Sequence, residues 1–405
     1  MKKLFQINVS VNSGSTGRIV EGIGALAQKN GYESWAAWGR TAMHSQLHLV
    51  RIGTKFNYME HGAETRIFDN HGLASRSATR QLIREMDKIK PDIIHLHNIH
   101  GYFLNYPLLF DYLRRIDVPV VWTLHDCWSF TGHCAHFDSC GCDRWKTGCH
   151  HCPQKMSYPA SYLFDQSRKN YEEKQKWFTC LKKLHVISVS HWLDNLVGES
   201  FLHDQYHTVI YNGIDTDTFS PSQKQSAIRR SLQITDDQIM LLGVASVWGE
   251  RKGLKDFIEL SKSLSPQQKI VLIGLTKKQI QNLPSNIIGI ERTESAKQLA
   301  GFYSAADVVL NLSKEESFGL TTIEGFSCGT PGIGYNCTAT PELFSPTTGY
   351  VVPSGNISEI LSCIELIQKR GKKFYSSACR NYALAHFRKE DCFSKYIDLY
   401  DAINR

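Results

Sequence analysis

The chain has 405 residues, of which 42% are hydrophobic and 21% are charged, and it carries a formal net charge of +7. This length is too great for one typical hydrophobic core and predicts two domains of about 200 residues each. The mild, dispersed positive charge comes without a recognised nucleic-acid motif, which argues against nucleic-acid binding. Because neither a secretion signal nor an apolar run of about 18 residues is found, we expect a cytoplasmic protein.

Strand-like runs alternate with helical segments along almost the whole chain. This alternation is typical of an α/β fold in which helices cover both faces of parallel sheets. The strand-like runs are Leu4–Val9, Ser34–Trp38, Asp92–His97, Val118–Leu124, His185–Val189, Thr208–Tyr211, Met240–Ala245, Ile270–Gly274, Ile287–Ile290 and Val308–Leu312. Apolar residues at helical spacing predict helices at Ile19–Ala27, Leu254–Ser261, Ala296–Tyr303 and Asp391–Tyr400.

A turn-rich segment divides the chain near its middle. Tyr211–Pro221 contains Asn-Gly and Ser-Pro pairs and has neither helical nor strand periodicity. We therefore expect a first domain at residues 1–212, a second at 213–388 and a terminal helix at 389–405. Ligands of doubly wound sheets bind beyond the carboxyl ends of the strands, so functional residues are expected in the loops at those ends.

The most informative stretch runs from Glu315 to Phe326. It follows a strand-like run, turns at Gly319 and continues as a helix, so that Glu316 lies beside a helix N-terminus and Glu324 lies inside the helix. A helix N-terminus favours an anion, and neighbouring carboxylates can bind hydroxyl groups. A nucleotide sugar offers both kinds of group. The structural alternative is that the two acids simply complement the helix dipole.

This segment resembles the E-x7-E motif of retaining family-4 glycosyltransferases with the GT-B fold, and Cys328–Pro331 matches the usual continuation. The resemblance implies two doubly wound, Rossmann-like domains that face a central cleft, and a terminal helix at residues 389–405 that crosses back to the first domain. It also implies that Glu316 contacts the donor hexose and Glu324 the ribose. No Asp-x-Asp motif lies near this segment, so catalysis without a metal cofactor is expected. The other donor-binding residues here would be Phe318, Gly319 and Leu320, the last two through backbone N–H groups on the diphosphate.

Lys252 and the following glycine match the family's phosphate-binding Lys-Gly pair. The ammonium group would neutralise a diphosphate leaving group, whereas a lysine in a loop is often merely solvated. The family commonly has an arginine where this chain has Val247, and Arg251 is the candidate substitute. Arg292 and Thr293 lie where relatives contact the base, which we expect to be uracil (UDP) rather than guanine (GDP).

In the first domain, a strand-like run is followed by His125 and Asp126. A lone histidine is usually structural, but His125 matches the active-site histidine that family members direct at the donor sugar. His97 follows the neighbouring run and, with Asp126, is a candidate for the acceptor side; we expect Asp126 to position other groups rather than to act as a base. The connection between the first strand and the first helix resembles the family's glycine loop, in which Gly17 and Arg18 would contact the ligands.

Six of the 12 cysteines fall within an insertion at residues 127–153. A C-x2-C pair with further thiols nearby predicts a structural zinc site, and the alternatives are packed reduced thiols or ligation by His133, His150 or His151. A subset of family-4 enzymes has a similar insertion, and by that resemblance Cys140 would not be a metal ligand. The cysteines that match it best are Cys134, Cys142, Cys149 and Cys152.

The resemblance implies a retaining hexosyltransferase that uses a nucleotide-diphosphate sugar and a glycan or lipid-linked glycan acceptor, as in the synthesis of bacterial O-antigen and other surface polysaccharides. A nucleotide-sugar epimerase and a non-catalytic GT-B-like module that only binds nucleotide sugars are the alternatives. The uncharged Val247 is the one feature that favours the binding module.

The segment from Lys155 to Lys183 is rich in basic residues and also carries the aromatic residues Tyr162, Phe164, Trp177 and Phe178. This combination suits peripheral contact with an anionic membrane surface. A solvated helix face is the alternative, and charge runs are usually that.

Overall fold

The computed structural model describes residues 1–404, which form two compact units. The first unit comprises Met1–Tyr211 and the C-terminal residues from Cys392 onward, and the second comprises Asn212–Asp391. The chain therefore enters the second unit once and then returns to the first. None of the helices in residues 1–404 combines the length and the apolar character that a membrane crossing requires.

A parallel sheet of seven strands forms the centre of the first unit. In chain order the strands are β1 (Lys3–Val11), β2 (Glu33–Ala42), β3 (His48–Arg51), β4 (Ile93–Leu96), β5 (Val120–Leu124), β6 (Leu184–Ser188) and β7 (Tyr206–Val209). The helices are α1 (Gly14–Lys29), α2 (Lys55–Phe68), α3 (Arg76–Ile89), α4 (Tyr106–Ile116), α5 (Ser167–Phe178) and α6 (His191–Glu199). Across the sheet the order is β3-β2-β1-β4-β5-β6-β7, so β4 and β5 are neighbours.

A second parallel sheet, of six strands, forms the second unit. Its strands are β8 (Ile239–Val244), β9 (Gln268–Ile273), β10 (Ile287–Ile290), β11 (Val308–Asn311), β12 (Gly332–Tyr335) and β13 (Gly349–Val352). Its helices are α7 (Gln225–Ser231), α8 (Leu254–Lys262), α9 (Lys277–Gln281), α10 (Ala296–Ala305), α11 (Leu320–Ser327), α12 (Ile357–Arg370) and α13 (Lys372–His386). The order β10-β9-β8-β11-β12-β13 places the carboxyl ends of β8 and β11 side by side.

The last helix, α14 (Lys389–Ile403), contributes to the core of the first unit. Its apolar residues recur at helical spacing, and Phe393, Tyr396 and Tyr400 are buried in one cluster with Leu4 and Ile23. Each fully buried side chain of this size contributes roughly 1.5–3 kcal/mol to folding. The helix is therefore part of the core of the first unit.

The predicted α/β fold with two parallel sheets is confirmed, but three short strands were missed. β12 and β13 are four residues each and contain glycines, and β3 is a largely exposed edge strand. Short glycine-containing runs lack the continuous apolar or alternating pattern by which strands are recognised.

The predicted glycine loop of the first domain is wrong in extent. β1 continues to Val11 and α1 begins at Gly14, so Gly17 and Arg18 belong to the helix. Gly17 is buried against β1, where a Cβ atom would lie 2.9 Å from the Ser10 hydroxyl. Serine, threonine and glycine at the start of a helix resemble a loop in sequence, and Ser13 is in fact the N-cap residue of α1.

The aromatic residues of Lys155–Lys183 divide between surface and interior. Tyr162 and Phe164 are exposed. Phe178 is fully buried at the end of α5, where its ring lies edge-on to Trp122 at a centroid distance of 4.7 Å. Phe178 therefore packs between α5 and the sheet and cannot take part in contact with a membrane surface.

Candidate active site

In the second unit, Lys252 and Glu316 form an ion pair at the carboxyl ends of neighbouring strands. Lys252 lies between β8 and α8, Glu316 follows β11, and the Lys252 Nζ atom lies 2.5 Å from Glu316 Oε1. The side chains are only 21% and 12% exposed. Burial alone would raise the pKa of Glu316, but the positive charges of Lys252 and Arg251 outweigh it and lower that pKa below its usual value. Glu316 is therefore a carboxylate at neutral pH.

Backbone contacts fix the loop that carries Glu316. The Glu316 N–H donates to Thr338 Oγ1 at 2.9 Å, and Arg251 Nη1 donates to the carbonyl oxygen of Glu315 at 3.0 Å. The Lys314 N–H also donates to the carbonyl oxygen of Arg251 at 2.8 Å. Arg251, the candidate for a second phosphate ligand, therefore holds the loop after β8 against the loop after β11.

The helix α11 begins directly after this loop. Gly319 is its N-cap residue, with φ 105°, and as a glycine it has no side chain with which to cap the helix. A helix N-terminus of this kind carries partial positive charge and favours an anion. Phe318 is buried and packs edge-on against Phe387, so its side chain belongs to the core of the unit.

Glu324 lies in α11 and is held by a buried tyrosine. Its Oε2 atom accepts a hydrogen bond of 2.9 Å from the hydroxyl group of Tyr303 in α10, and only 8% of Glu324 is exposed. Burial raises the pKa of Tyr303 well above its usual value, so this phenol remains a donor. The contact of Tyr303 with Glu324 could not be predicted from local sequence, because the two residues are 21 positions apart and lie in different helices.

The residues predicted near the base are placed apart from the ion pair. Arg292, which is exposed, and Thr293 follow β10, the edge strand two positions from β8. Val247 is 75% exposed. A cavity of about 370 Å³ lies beside it, between α8 and α9, with Trp248 and Gln279 among its lining residues.

In the first unit, His97 and His125 meet at the carboxyl ends of β4 and β5. The Nδ1 atom of His97 lies 3.3 Å from His125 Nε2 in the interior. Burial is the main cause that lowers the pKa of His125 to about 4 and the pKa of His97 well below its usual value. Both rings are therefore neutral at neutral pH.

Asp126 pairs with a histidine that the sequence did not single out. Its Oδ2 atom lies 2.9 Å from His100 Nε2, and its Oδ1 atom accepts the N–H of Trp128 at 3.0 Å. Burial opposes ionisation, but His100 and these hydrogen bonds outweigh it and lower the pKa of Asp126 well below its usual value. Asp126 is therefore a weak base that holds His100 and the following turn in place.

The predicted metal-binding cysteines surround one small cavity in the insertion. Cys134, Cys142, Cys149 and Cys152 all line it, whereas Cys140 does not. Cys134 and Cys152 are hydrogen-bonded to each other, and the Gly132 N–H donates to Cys149 Sγ at 3.1 Å. In residues 1–404, however, no three His, Cys, Asp or Glu side chains are arranged as a metal-binding group.

Next to this cavity lies a buried histidine with one unused nitrogen. His133 Nδ1 lies 2.6 Å from Asp69 Oδ1, and both side chains are fully buried. Its Nε2 atom has no hydrogen-bond partner within residues 1–404. A buried polar atom without a partner is uncommon and points to a missing ligand or water.

Two family models match the chain. The model described as Glycosyltransferase Family 4 matches residues 53–218, and that described as Glycosyl transferases group 1 matches residues 224–383. WcaC of Escherichia coli K12, named as a colanic acid biosynthesis glycosyl transferase, is 25% identical over 292 residues, which is 68% of this chain and 67% of WcaC. Matches to several other curated relatives span less than half of their length.

Solved glycosyltransferase structures share the whole fold. Sucrose-phosphate synthase from Thermosynechococcus elongatus aligns with a TM-score of 0.73 at 16% identity and covers 100% of this chain and 99% of its own. Anabaena HepE, solved in complex with UDP-glucose, aligns with a TM-score of 0.68 at 15% identity and covers 99% of this chain and 100% of its own. One family model lies largely on each unit, and the solved structures share the fold throughout, so the chain has the GT-B fold and is similar to glycosyltransferases over most of its length.

Proposed function

We propose that this protein transfers a hexosyl group, with retention of configuration, from a nucleotide-diphosphate sugar to a glycan or lipid-linked glycan. The ion pair between Lys252 and Glu316 beside the N-terminus of α11 carries the proposal. When the donor binds, Lys252 would turn to the diphosphate and neutralise the charge that develops as the bond to the sugar breaks. Glu316 would then accept hydrogen bonds from hexose hydroxyl groups.

The rest of the donor would lie along the same edge of the second sheet. The N–H groups of Gly319 and Leu320 would bind the diphosphate, and Glu324 would accept the ribose hydroxyl groups from its fixed position. Arg251 would contribute positive charge to the phosphates. Arg292 and Thr293 would contact the base.

In the first unit, His125 would contact the donor sugar and Asp126 would lie on the acceptor side, whereas buried His97, predicted for the acceptor side, would act by supporting His125. A retaining transfer on one face of the sugar can use the leaving phosphate oxygen to deprotonate the acceptor, so it needs positioning and charge stabilisation rather than a strong protein base. The lowered pKa of Asp126 suits this role. Arg18 is exposed at the start of α1 and remains a ligand candidate, whereas buried Gly17 packs the helix on the sheet.

The names of the related proteins indicate which nucleotide and which pathway to test first. HepE has been solved with UDP-glucose, which favours UDP over GDP as the nucleotide here. WcaC is named for colanic acid biosynthesis, which favours bacterial surface polysaccharide as the pathway, with O-antigen as one product class. Such a reaction would take place at the cytoplasmic face of the membrane.

The test is a nucleotide-release assay with UDP- and GDP-hexoses, with and without lipid-linked acceptors. We expect acceptor-dependent release of UDP and an NMR spectrum of the product with the anomeric configuration of the donor. Inversion of that configuration would contradict retention. Tight binding without release would instead indicate a binding module, and a product that remains a nucleotide sugar with altered stereochemistry would indicate an epimerase.

We also propose that the cysteine cavity holds a structural zinc ion. Its thiol groups are the ligand type that zinc prefers, and a closed site of this kind would brace the insertion without taking part in catalysis. We expect about one zinc per chain by elemental analysis of protein purified without chelator. Replacing Cys149 by serine should remove it, and Cys140→Ser should not. Absence of zinc from the unaltered protein would contradict the proposal.

Exposed apolar residues after the insertion are proposed to contact the membrane. Leu163 is 67% exposed between Tyr162 and Phe164, and the Phe164 ring stacks on that of exposed Phe68 at 5.9 Å. Replacing Leu163 by Asp should lower co-sedimentation with anionic vesicles about tenfold, because a charge there opposes burial among lipids. Leu366→Asp, at a 43% exposed leucine of the second unit, is the control. Equal binding by the two variants would place the contact elsewhere.

A further inference from the structure

The carboxyl-end histidines of the first sheet are joined to a buried glutamine in β1. Gln6 is fully buried, and its Nε2 atom donates to the carbonyl oxygen of Val20 at 3.0 Å. This contact orients the amide, because the flipped group would bring two acceptor oxygens together. The Gln6 Oε1 atom therefore faces His97, at 3.1 Å from its Nε2 atom.

This orientation decides where the proton of His97 lies. An amide oxygen can only accept a hydrogen bond, so His97 Nε2 must carry the hydrogen. Because His97 is neutral, its Nδ1 atom then has none and can only accept. The atom that approaches Nδ1 is His125 Nε2, at 3.3 Å, so that atom must donate.

The neighbouring histidine does not disturb this chain of hydrogen bonds. His95 stacks on His97 with a centroid distance of 4.0 Å, but both of its nitrogens are engaged elsewhere. Its Nδ1 lies 2.5 Å from the Tyr400 hydroxyl group and its Nε2 lies 2.8 Å from Thr123 Oγ1. The titratable groups whose fields act on His125 are Asp126 and His100, and the pKa of His125, lowered by burial to about 4, keeps its ring neutral beside them.

We propose that Gln6 is a positioning residue that fixes His125, through His97, as the tautomer with hydrogen on Nε2. The Nδ1 atom of His125 then acts only as an acceptor. This inference rests on the proposed role of His125 at the donor sugar. His125 Nδ1 would then contact a hydroxyl group of the sugar, because a hydroxyl group can donate a hydrogen bond. A carboxylate oxygen, which can only accept, is disfavoured, so neutral hexoses are favoured over uronic acids at this position.

The direct test is long-range ¹H–¹⁵N NMR of the unaltered protein labelled at its 17 histidines. Signals are assigned by single substitution of His97 and His125. We expect both rings to show hydrogen on Nε2 and none on Nδ1 near neutral pH. Hydrogen on Nδ1 of His125 would overturn the proposal. This measurement needs no sugar nucleotide, so its result tests the tautomer independently of the proposed transferase function.

A near-isosteric substitution, Gln6→Met, supplies the second test. Without the amide acceptor, a hydrogen on His97 Nε2 would be buried and unsatisfied, so both rings should switch to hydrogen on Nδ1. We expect kcat/KM for the sugar nucleotide to fall about tenfold. The reason is that, in the tautomer that supports catalysis, one buried N–H group would be left without a hydrogen-bond acceptor. Discrimination between UDP-glucose and UDP-glucuronic acid should shrink.

The matched control is Thr65→Val, which removes another buried hydrogen bond of the first unit, from Thr65 Oγ1 to the carbonyl oxygen of His61. It should lower thermal stability while leaving the tautomers and the sugar preference unchanged. If Gln6→Met kept the original tautomers, or if both variants lost activity alike without a tautomer change, Gln6 would be only a packing residue.

Discussion

At the scale of single residues, the loops that follow β8 and β11 are held together by charge. Lys252 and Glu316 neutralise each other at 2.5 Å, and both are largely buried. A lysine left alone in that position would have to lose much of its hydration without compensation. Glu316 therefore holds the Lys252 ammonium group in place at the carboxyl ends of these strands.

Glu316→Gln should separate this role from a structural one. The amide keeps the shape but removes the charge, so we expect kcat to fall at least a hundredfold. The free energy of unfolding should also fall, by about 3 kcal/mol, because Lys252 is left largely buried without its charged partner. The measurements are initial rates and thermal unfolding. Glu250→Gln is the control, since Glu250 pairs with Lys255 at 3.2 Å on the surface. A kcat within threefold of the unaltered protein would remove Glu316 from the mechanism.

The residues that carry charge could be predicted from the sequence, but their partners could not. Glu316, Glu324 and Lys252 stand in motifs with a physical reason for each residue type. Tyr303, which holds Glu324, and His100, which holds Asp126, stand in no motif. Their contacts depend on which helices and loops the sheet order brings together, and this order is not visible in local periodicity.

At the scale of elements, the loop from β8 to α8 depends on a glycine. Gly253 has φ +73° and is the N-cap residue of α8. A Cβ atom there would lie 2.1 Å from the carbonyl oxygen of Leu312, at the end of β11. The close approach of the two loops, and with it the position of Lys252, therefore requires a residue without a side chain.

Gly253→Ala should displace the loop and lower transfer at least tenfold, with a loss of about 2 kcal/mol in the free energy of unfolding, because both the steric contact and the positive φ are unfavourable. Gly249→Ala is the control in the same loop, since nothing lies within 4 Å of its added Cβ atom. Rates and denaturant unfolding provide the comparison. Equal behaviour of the two variants would show that the loop tolerates displacement.

Strands and helices with a pronounced apolar pattern could be predicted from the sequence, whereas those without one could not. β4 and β5 are buried throughout and consist mostly of apolar residues. β12, with the sequence Gly-Ile-Gly-Tyr, lacks such a run, and its place is fixed by pairing with β11 and β13. The start of α1 was read as a loop because its glycines and serines favour turns.

At the scale of the whole molecule, buried neutral histidines are concentrated in the first unit. Their pKa values are lowered chiefly by burial, to about 3 for His61, to about 4 for His125 and well below the usual value for the others, which are His71, His95 and His97. The second unit contains a single histidine, His386. Acid should therefore affect the two units differently.

The first unit should lose stability as the pH falls below about 6.5. In this range the unfolded chain binds protons that the folded chain does not, so each such histidine costs up to about 1.4 kcal/mol per pH unit until its folded pKa is reached. His133 opposes this trend, since Asp69 outweighs burial and raises its pKa. Hydrogen exchange at pH 7.5 and pH 5.0 should show selective loss of protection in residues 1–211. Uniform loss over both units would contradict the assignment.

The return of α14 to the first unit has a consequence for biosynthesis. Phe393, Tyr396 and Tyr400 complete a core that includes Leu4, but they are translated only after all of Asn212–Asp391. At typical rates the ribosome needs roughly 10 to 40 s for that stretch. During this interval the nascent first unit exposes an apolar surface shaped for its own last helix, and this surface is where a chaperone would bind the growing chain.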